Sequence, residues 1–456
     1  MSLPRYGSYR DSGVEWLGDV PSHWEVCPLK VLSSVNDEAL PETTDGDFQM
    51  EYVDIGSVSL GAGVEKTEAF TFETAPSRAR RIVRHGDVIV STVRTYLKSI
   101  APILSPAENL VVSTGFAVVR PNSTLDSGFA KFALQCSYFV DEVIARSTGV
   151  SYPAINATDL ARIRLPAPPI LEQTLIASFL DSEIAKIDAL ISEQEKLITL
   201  LAEKRQATIS HAVTKGLNPE TPMKDSGVGW LGEVPDHWGV KQLRHIAKVV
   251  RGASPRPAGD PRYFSADNSD LRNTPWVTVA EITKDTNAYL SYVSEYLTPV
   301  GVENSQFFES GLLIFSNSGA TLGVPKILAI DCCANDGVLA FRNFSPDVAV
   351  LFAYHFLLTT TERLRTEMKQ GGGQPNLNTD IVKNIGIAIP PLEEQLAILR
   401  FLEDEIRKLD DLTSEANRGI VLLQERRSAL ISAAVTGKID VRQAVEQEQI
   451  TIQEAA

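Results

Sequence analysis

Cysteine is scarce, with four in 456 residues. Cys27, Cys136, Cys332 and Cys333 form no CxxC pair and no Cys/His group at zinc-binding spacing. Neither a disulfide framework nor a metal site is therefore expected, and a reducing, cytoplasmic setting fits. No run of about 18 apolar residues occurs, so no membrane-spanning helix is predicted. The opening MSLPRYGSYRDSGVEW lacks the apolar core of a signal peptide. Catalytic motifs are missing too. VTGKID at 435–440 lacks the first Gly and the Ser/Thr of a phosphate loop, and there is no HExxH, no GxSxG, no NPP[FY] for a flipped base and no FxGxG cofactor loop. Carboxylates beside lysine, such as Glu203-Lys204, read as solvated helix charge. No independent enzyme and no cofactor on this chain are expected.

Positive charge is also in short supply. Lys and Arg number 43 against 58 Asp and Glu, for a net charge of -15. That sum argues against nucleic acid, but the distribution is polarised. Residues 37–73 hold ten acidic side chains and one Lys, whereas residues 77–100 hold six Lys or Arg against Asp87 alone. Residues 241–262 hold six more against Asp260 alone. Such a chain can meet a polyanion with one face and protein with another.

What is abundant is repetition. Residues 168–214, PPILEQTLIASFLDSEIAKIDALISEQEKLITLLAEKRQATISHAVT, align without a gap to 390–436, PPLEEQLAILRFLEDEIRKLDDLTSEANRGIVLLQERRSALISAAVT. The offset is 222 and 25 of 47 positions are identical. Each copy opens on a Pro pair and closes at Gly216 or Gly437, the start and stop signals of a helix. As one helix, about 45 residues would reach roughly 65–70 Å. Leu180, Ile184, Ile187, Ile191, Gln194, Ile198 and Leu201 alternate four and three apart, a coiled-coil seam with one polar interruption. Leu402, Ile406, Leu409, Thr413, Ala416, Ile420 and Leu423 repeat it. Neither stripe can be buried alone, and the simplest partner for each copy is the other. Leu190, Leu197 and Leu200 widen the first stripe and leave a second face for another protein.

A second repeat opens each half. SGVEWLGDVPSHWEVCPLK at 12–30 matches SGVGWLGEVPDHWGVKQLR at 226–244 in 12 of 19 positions. Trp16, Pro21, His23 and Trp24 recur as Trp230, Pro235, His237 and Trp238. A segment that docks by packing aromatic rings explains them better than chemistry at the histidine. Strand-like runs follow at 51–60, 86–93 and 113–121, and again at 276–283, 311–319 and 335–343. Apolar helical segments come next, at 129–146 and 350–368, then polar Gly-containing loops at 147–156 and 369–378. The expected order is a docking segment (1–24), a mixed α/β domain (25–165), the central helix (166–216), a linker with the second docking segment (217–238), a second mixed domain (239–388), the C-terminal helix (389–437) and a tail (438–456), frayed after 444. The fold class expected is α+β: two similar mixed domains separated by two long helices in an antiparallel intramolecular coiled coil, a pseudo-twofold tandem repeat.

Candidate nucleic-acid contacts fall at corresponding points of the two halves. In the first, Arg78, Arg80, Arg81 and Arg84 lead into a strand, with Ser91, Thr92, Arg94, Tyr96 and Lys98 at its end and Tyr152 and Asn156 in the following loop. In the second, Arg251, Ser254, Arg256 and Arg262 lie in RGASPRPAGDPRYF, and Asn317, Ser318, Thr321 and Lys326 in SNSGATLGVPK. Gln374, Asn376 and Asn378 follow three glycines that permit close backbone approach. Arg and Lys neutralise phosphates, Arg forks onto guanine, and Asn and Gln suit adenine.

The WLGDVPSHWEV and WLGEVPDHWGV segments, GGGQPNLN before a long helix, PPLEEQLAILRFL, and the endings ERRSALISAAVTGKID and EKRQATISHAVTKGLN together resemble the specificity (S) subunit of type I restriction–modification enzymes, over residues 12 to about 440. The resemblance implies two target recognition domains, each reading a half-site of double-stranded DNA in the major groove. It implies a coiled-coil spacer that sets the gap, and two modification (M) subunits carrying S-adenosylmethionine docked on the helices. Restriction (R) subunits using ATP and Mg would join them. Unlike readers imply an asymmetric target. The competing readings are a coiled-coil scaffold with no DNA role, suggested by the net charge, and an unrecognised nuclease or methylase, suggested only by domain size.

Overall fold

Ile170–Lys215 and Leu392–Val435 are unbroken helices of 46 and 44 residues. Pro168-Pro169 and Pro390-Pro391 fix their starts, and Gly216 (φ +78°) and Gly437 (φ +71°) end them in the left-handed region that glycine enters without a Cβ clash. The structure, a computed structural model, describes residues 3–266, 269–319, 321–367 and 376–444. The chain divides into two compact units, Met1–Glu195 with Asn417–Ala456, and Lys196–Ala416. Each holds one mixed domain and part of each long helix.

In the first unit, Arg427 Nε lies 3.3 Å from the Asp188 carboxylate, and Ile431, Ala434 and Val435 share a core with Leu180 and Ile184. Numbers rise on one helix as they fall on the other, so the pairing is antiparallel. In the second unit, Arg205 pairs with Asp410, and Ile209, Ala212 and Val213 share a core with Ile398 and Leu402, again antiparallel. Leu180, Ile184, Ile187, Leu201, Leu402, Leu409 and Ala416 are buried, while Ile191, Gln194, Ile198, Ile406, Thr413, Ile420 and Leu423 are half-buried. The driest end of the first seam is where recognition-domain side chains such as Phe129 and Phe139 join Leu180 and Ile184. Burying each large aliphatic side chain there contributes about 1.5–3 kcal/mol.

The two mixed domains share one plan. The first has an antiparallel sheet ordered Ile100–Pro102, Val88–Ser91, Phe116–Pro121, Ser33–Val35. A second sheet runs Glu68–Thr71, Gln49–Val53, Leu110–Ser113, Ala79–Ile82, with the middle pair parallel. The second domain repeats this as Pro325–Leu328, Leu313–Ser316, Val338–Arg342, Lys248–Arg251, plus Tyr289–Leu290 at the edge. Its other sheet again joins a parallel pair, Thr274–Val277 with Cys332–Ala334. A two-stranded ribbon ties each domain's entry to the strand before its long helix: Glu25–Pro28 with Arg164–Ala167, and Gly239–Gln242 with Gly386–Ile389.

Three expected elements differ, the first being the run 51–60, which leaves its strand after Val53 for the single turn Ile55–Ser57. The run 276–283 leaves the sheet after Val277 and becomes the helix Val279–Thr283, which turns Ile282 into the core and brings the Glu281 carboxylate to the Ser294 amide at 3.2 Å. The helical segment 129–146 is two helices, Ser127–Ala133 and Ser137–Ala145, parted at Cys136, whose ψ of 151° is extended. The Asp126 carboxylate caps the first by accepting from the Phe129 amide at 2.9 Å.

The repeated motifs meet in a clamp. In the first unit the Glu172 carboxylate accepts from Tyr6 Oη at 2.7 Å and Trp24 Nε1 at 3.1 Å, and His23 Nε2 lies 2.9 Å away. Burial and the neighbouring carboxylate push the Tyr6 phenol up, so it stays a donor. Gln173, fully buried, donates to Pro168 O and Thr124 O and accepts from the Asp126 amide. In the second unit Glu394 accepts from Trp238 Nε1 at 3.1 Å beside His237 at 2.7 Å, and Gln395 bonds Pro390 O, Asp347 O and the Ala349 amide. The Glu of PPxxEQ thus holds the docking segment and the Gln holds the loop that starts the preceding helix. Residues 438–444 are no tail. Lys438 Nζ donates to Asp19 O at 3.1 Å, the Asp440 amide to Pro4 O at 2.8 Å, and the Arg442 guanidinium lies 5.0 Å from the Tyr6 ring centre. The fraying expected after 444 falls outside the described residues.

Candidate nucleic-acid interface

In the first unit the strand Val88–Ser91 ends in a loop, 92–98, crossed by the loop 147–156. The Ile155 amide donates to Thr92 O at 2.9 Å, Val93 bridges Ala154, and the Thr95 and Ser147 hydroxyls lie 2.8 Å apart. Thr92 Oγ1 donates to Gly115 O at 2.9 Å, and the next amide back, that of Thr114, donates to Arg78 O at 2.7 Å. This chain of bonds gathers Arg78, Thr92, Arg94, Lys98, Tyr152 and Asn156 at one end of the domain. Asn156 is spent in part as an N-cap, its Oδ1 accepting from the Asp159 amide at 2.8 Å. Arg94 Cζ lies 4.9 Å from the Tyr152 ring centre, a cation–π stack on an exposed ring.

The other arginines do not all join them. Strand Ala79–Ile82 pairs Ala79 with Ser113 and Ile82 with Val111, so Arg78 and Arg84 stand beyond opposite ends of a segment about 13 Å long. Arg84 pairs with Glu38 at the far end. Arg78 is held by Tyr52 Oη at 3.1 Å and Asp54 at 3.0 Å. Arg80 lies over the Phe72 ring at 4.4 Å, and Arg81 Nε is buried without a hydrogen-bond partner. Ser91 is buried as well, its amide bonded to Ser99 O at 2.9 Å. Its place is in the sheet, not on the surface.

The second unit builds the same end from different side chains. The Leu377 amide donates to Asn317 O at 2.7 Å, the Asn317 amide to Gly337 O at 2.9 Å, and Ser318 bridges Asn376. Asn317 is buried and its Oδ1 has no partner. Thr321 and Asn376 are exposed, and Asn378 caps the helix Thr379–Lys383 by accepting from the Asp380 amide at 3.0 Å. Beside Gly337, Asp336 collects the basic loop. Arg251 Nε donates to its carbonyl at 2.6 Å, Ser254 Oγ to its carboxylate at 2.9 Å, and Arg256 lies 3.4 Å from that carboxylate. The run 241–262 that looks unbalanced in sequence is therefore partly neutralised by an acid some 80 residues on. Arg262 stands apart on Asp260, whose carboxyl it holds below the usual range.

Lys326, expected among the DNA contacts, is buried. Only 1% exposed, it donates Nζ to the Asp285 carboxylate at 2.5 Å, to Asp285 O at 3.0 Å and to Asn287 O. A strand position between Pro325 and Ile327 points it inward, and no phosphate can reach it. Gln374 lies outside the described residues. Residues that the sequence did not single out also matter here: Asp336, the exposed Val93, Leu97 and Val150, and the clamp acids Glu172 and Glu394. Only their position in the PPxxEQ repeat marked the last two.

Burial pushes the Cys136 and Cys332 thiols up to about 12. Among the described residues no group of three or more His, Cys, Asp or Glu is arranged to hold a metal, and no helix is long and apolar enough to cross a membrane.

A family model for the type I restriction modification DNA specificity domain matches residues 21–200 and 235–420. The MjaVIII type I restriction enzyme specificity subunit of Methanocaldococcus jannaschii is 21% identical over 348 residues, 74% of this chain and 75% of that protein. The EcoKI specificity subunit of Escherichia coli K12 is 21% identical over 333 residues, 71% and 68% respectively. Among solved structures, a chain from a study of complex assembly and conformational transition of the type I R-M system aligns over 91% of this chain and 98% of its own, with a TM-score of 0.71 at 20% identity. The HsdS subunit of Thermoanaerobacter tengcongensis aligns over 92% and 98%, with a TM-score of 0.52 at 20% identity.

Proposed function

Because the chain belongs to the type I restriction–modification DNA specificity family and carries two tandem specificity domains, we propose that each domain reads one half of a bipartite, asymmetric DNA target through the loop ends described above. The observation that carries this reading is the contrast between scaffold and tip. The strand order, the 92/155 and 317/377 backbone bonds and the EQ clamp recur, whereas the exposed side chains do not. One tip offers Arg94 over Tyr152, with Lys98; the other offers Asn376, Thr321 and Asp336. Arg suits guanine, Asn suits adenine, and a carboxylate accepts from cytosine N4. Tips so different suit unlike half-sites.

The reactions then belong to partners. Modification subunits carrying S-adenosylmethionine would dock on the long helices, where Leu190, Leu197, Leu200, Leu412 and Leu422 remain exposed. Restriction subunits using ATP and Mg would join that complex. The long helices would fix the separation of the half-sites. The test is binding of the full chain, with a modification subunit of its system, to a randomised duplex pool. Arg94→Ala should relax sequence preference in one half-site only, and binding should fall steeply with salt. Equal enrichment of all duplexes would refute the reading.

A further inference from the structure

The tip of the first unit carries more than base-reading needs. Arg94 and Lys98 both have φ of +53°, in the left-handed region that a side chain with a Cβ disfavours. They frame the single turn Thr95–Leu97. Thr95 anchors that turn from below, buried and bonded to Ser147. Tyr96 and Leu97 are left 52% and 46% exposed. The crossing loop adds Val150, fully exposed, and Tyr152. Among the described residues no carboxylate is ion-paired with Arg94 or Lys98, whereas Arg78 and Arg84 each have one and Arg120 has three. An apolar point between Lys98 and an Arg94 stacked on Tyr152, neither of them ion-paired, in a chain of net charge -15, is out of place facing water and is complementary to a base step beside a phosphate. The corresponding loop of the second unit has no cation between Asn317 and Gly323, and its one large apolar side chain, Leu322, is buried.

We infer that the 93–98 turn is a wedge. On the target duplex, Leu97 and Tyr96 enter one base step of the half-site read by the first unit, while Lys98 holds the neighbouring phosphate and Arg94 keeps its contact with the adjacent base. This rests on the DNA-reading function above and adds a property to it: that half-site is chosen partly by how readily the step opens. Pyrimidine–purine steps, which unstack most easily, should be preferred there.

The test uses the full chain with a modification subunit and a duplex recovered by selection from a randomised pool, with 2-aminopurine placed in turn at each position of both half-sites. Binding should raise the fluorescence several-fold at one step of one half-site. A mismatch at that step, which removes most of the unstacking cost, should tighten binding about tenfold. Tyr96→Ala with Leu97→Ala should abolish both effects and leave the preference at the other half-site intact. Both side chains are exposed, so folding is spared; Leu97→Phe, which keeps an apolar tip, should retain the fluorescence rise. If the duplex is discriminated but no step brightens and the double variant binds like the parent, the wedge is wrong and DNA reading stands. If no duplex is preferred at all, the reading function itself has failed. If the double variant loses the modification subunit while the chain alone binds DNA unchanged, the patch is a protein contact and the wedge is overturned.

Discussion

Removing the clamp carboxylate of the first unit should destabilise it far more than the same change in the second. Glu172 has a side chain 8% exposed and serves Tyr6, Trp24 and His23. Glu172→Ala strands two buried donors, Tyr6 Oη and Trp24 Nε1, at about 1–3 kcal/mol each. His23, 43% exposed, can turn to water. Relief from desolvating a carboxylate recovers part of that cost, which leaves a net loss of about 3–4 kcal/mol. Among the described residues Glu394 serves Trp238 and His237, and its side chain is 30% exposed. Water can replace it at the indole, and Glu394→Ala should cost about 1–2 kcal/mol. Native-state hydrogen exchange read by mass spectrometry separates the two, because protection in 127–145 and 431–441 reports the first unit and protection in 350–366 and 396–402 the second. Equal losses of protection, or none in the first unit for Glu172→Ala, would refute the idea that the PPxxEQ glutamate locks the docking segment to the helix.

Other expectations are briefer. Burial, helped by Arg205, lowers the His355 pKa to about 4, and its Nδ1 lacks a partner. A depressed pKa gives stability that is present above the unfolded value of about 6.5 and lost as pH falls towards 4, up to about 3 kcal/mol. His355→Phe should flatten the pH dependence of unfolding in that window, and an unchanged slope would contradict the assignment. Gly419 lies within the second long helix, and a Cβ there would meet nothing within 4 Å. Gly419→Ala should therefore stabilise by about 0.5–1 kcal/mol in thermal unfolding. Lys326→Met should lower stability while leaving the salt dependence of DNA binding unchanged; a shallower salt slope would mean that Lys326 reaches phosphate after all. Inserting four residues after both Gln194 and Ala416 adds about 6 Å of helix, and the preferred gap between half-sites should widen by one to two base pairs, as read by selection from a randomised pool.

The long helices were legible because periodicity, Pro starts and Gly stops all agree over 44–46 residues. Local signals placed a strand in each of the six expected runs, but left others, such as Ala79–Ile82 and Pro325–Leu328, unmarked. What stayed hidden was non-local. Asp336 pairs its carboxylate with Arg256 and holds Arg251 through its carbonyl from across the domain, and Lys326 looks like a surface cation until its strand neighbours turn it inward. The basic run 78–84 looked like one patch, yet a strand separates Arg78 from Arg84. Charge counts along a sequence cannot see which end of a strand a side chain occupies. The roles of Glu172 and Gln173 were equally invisible, since a repeated polar pair reads as surface until the docking segment closes over it.

Two unlike readers should define one two-part target. Mapping modified adenines in genomic DNA from cells with and without this gene tests this most directly. One motif should depend on the gene, with two different short halves separated by a fixed gap. A palindromic motif, a single uninterrupted one, or an adenine pattern unchanged by loss of the gene would contradict this.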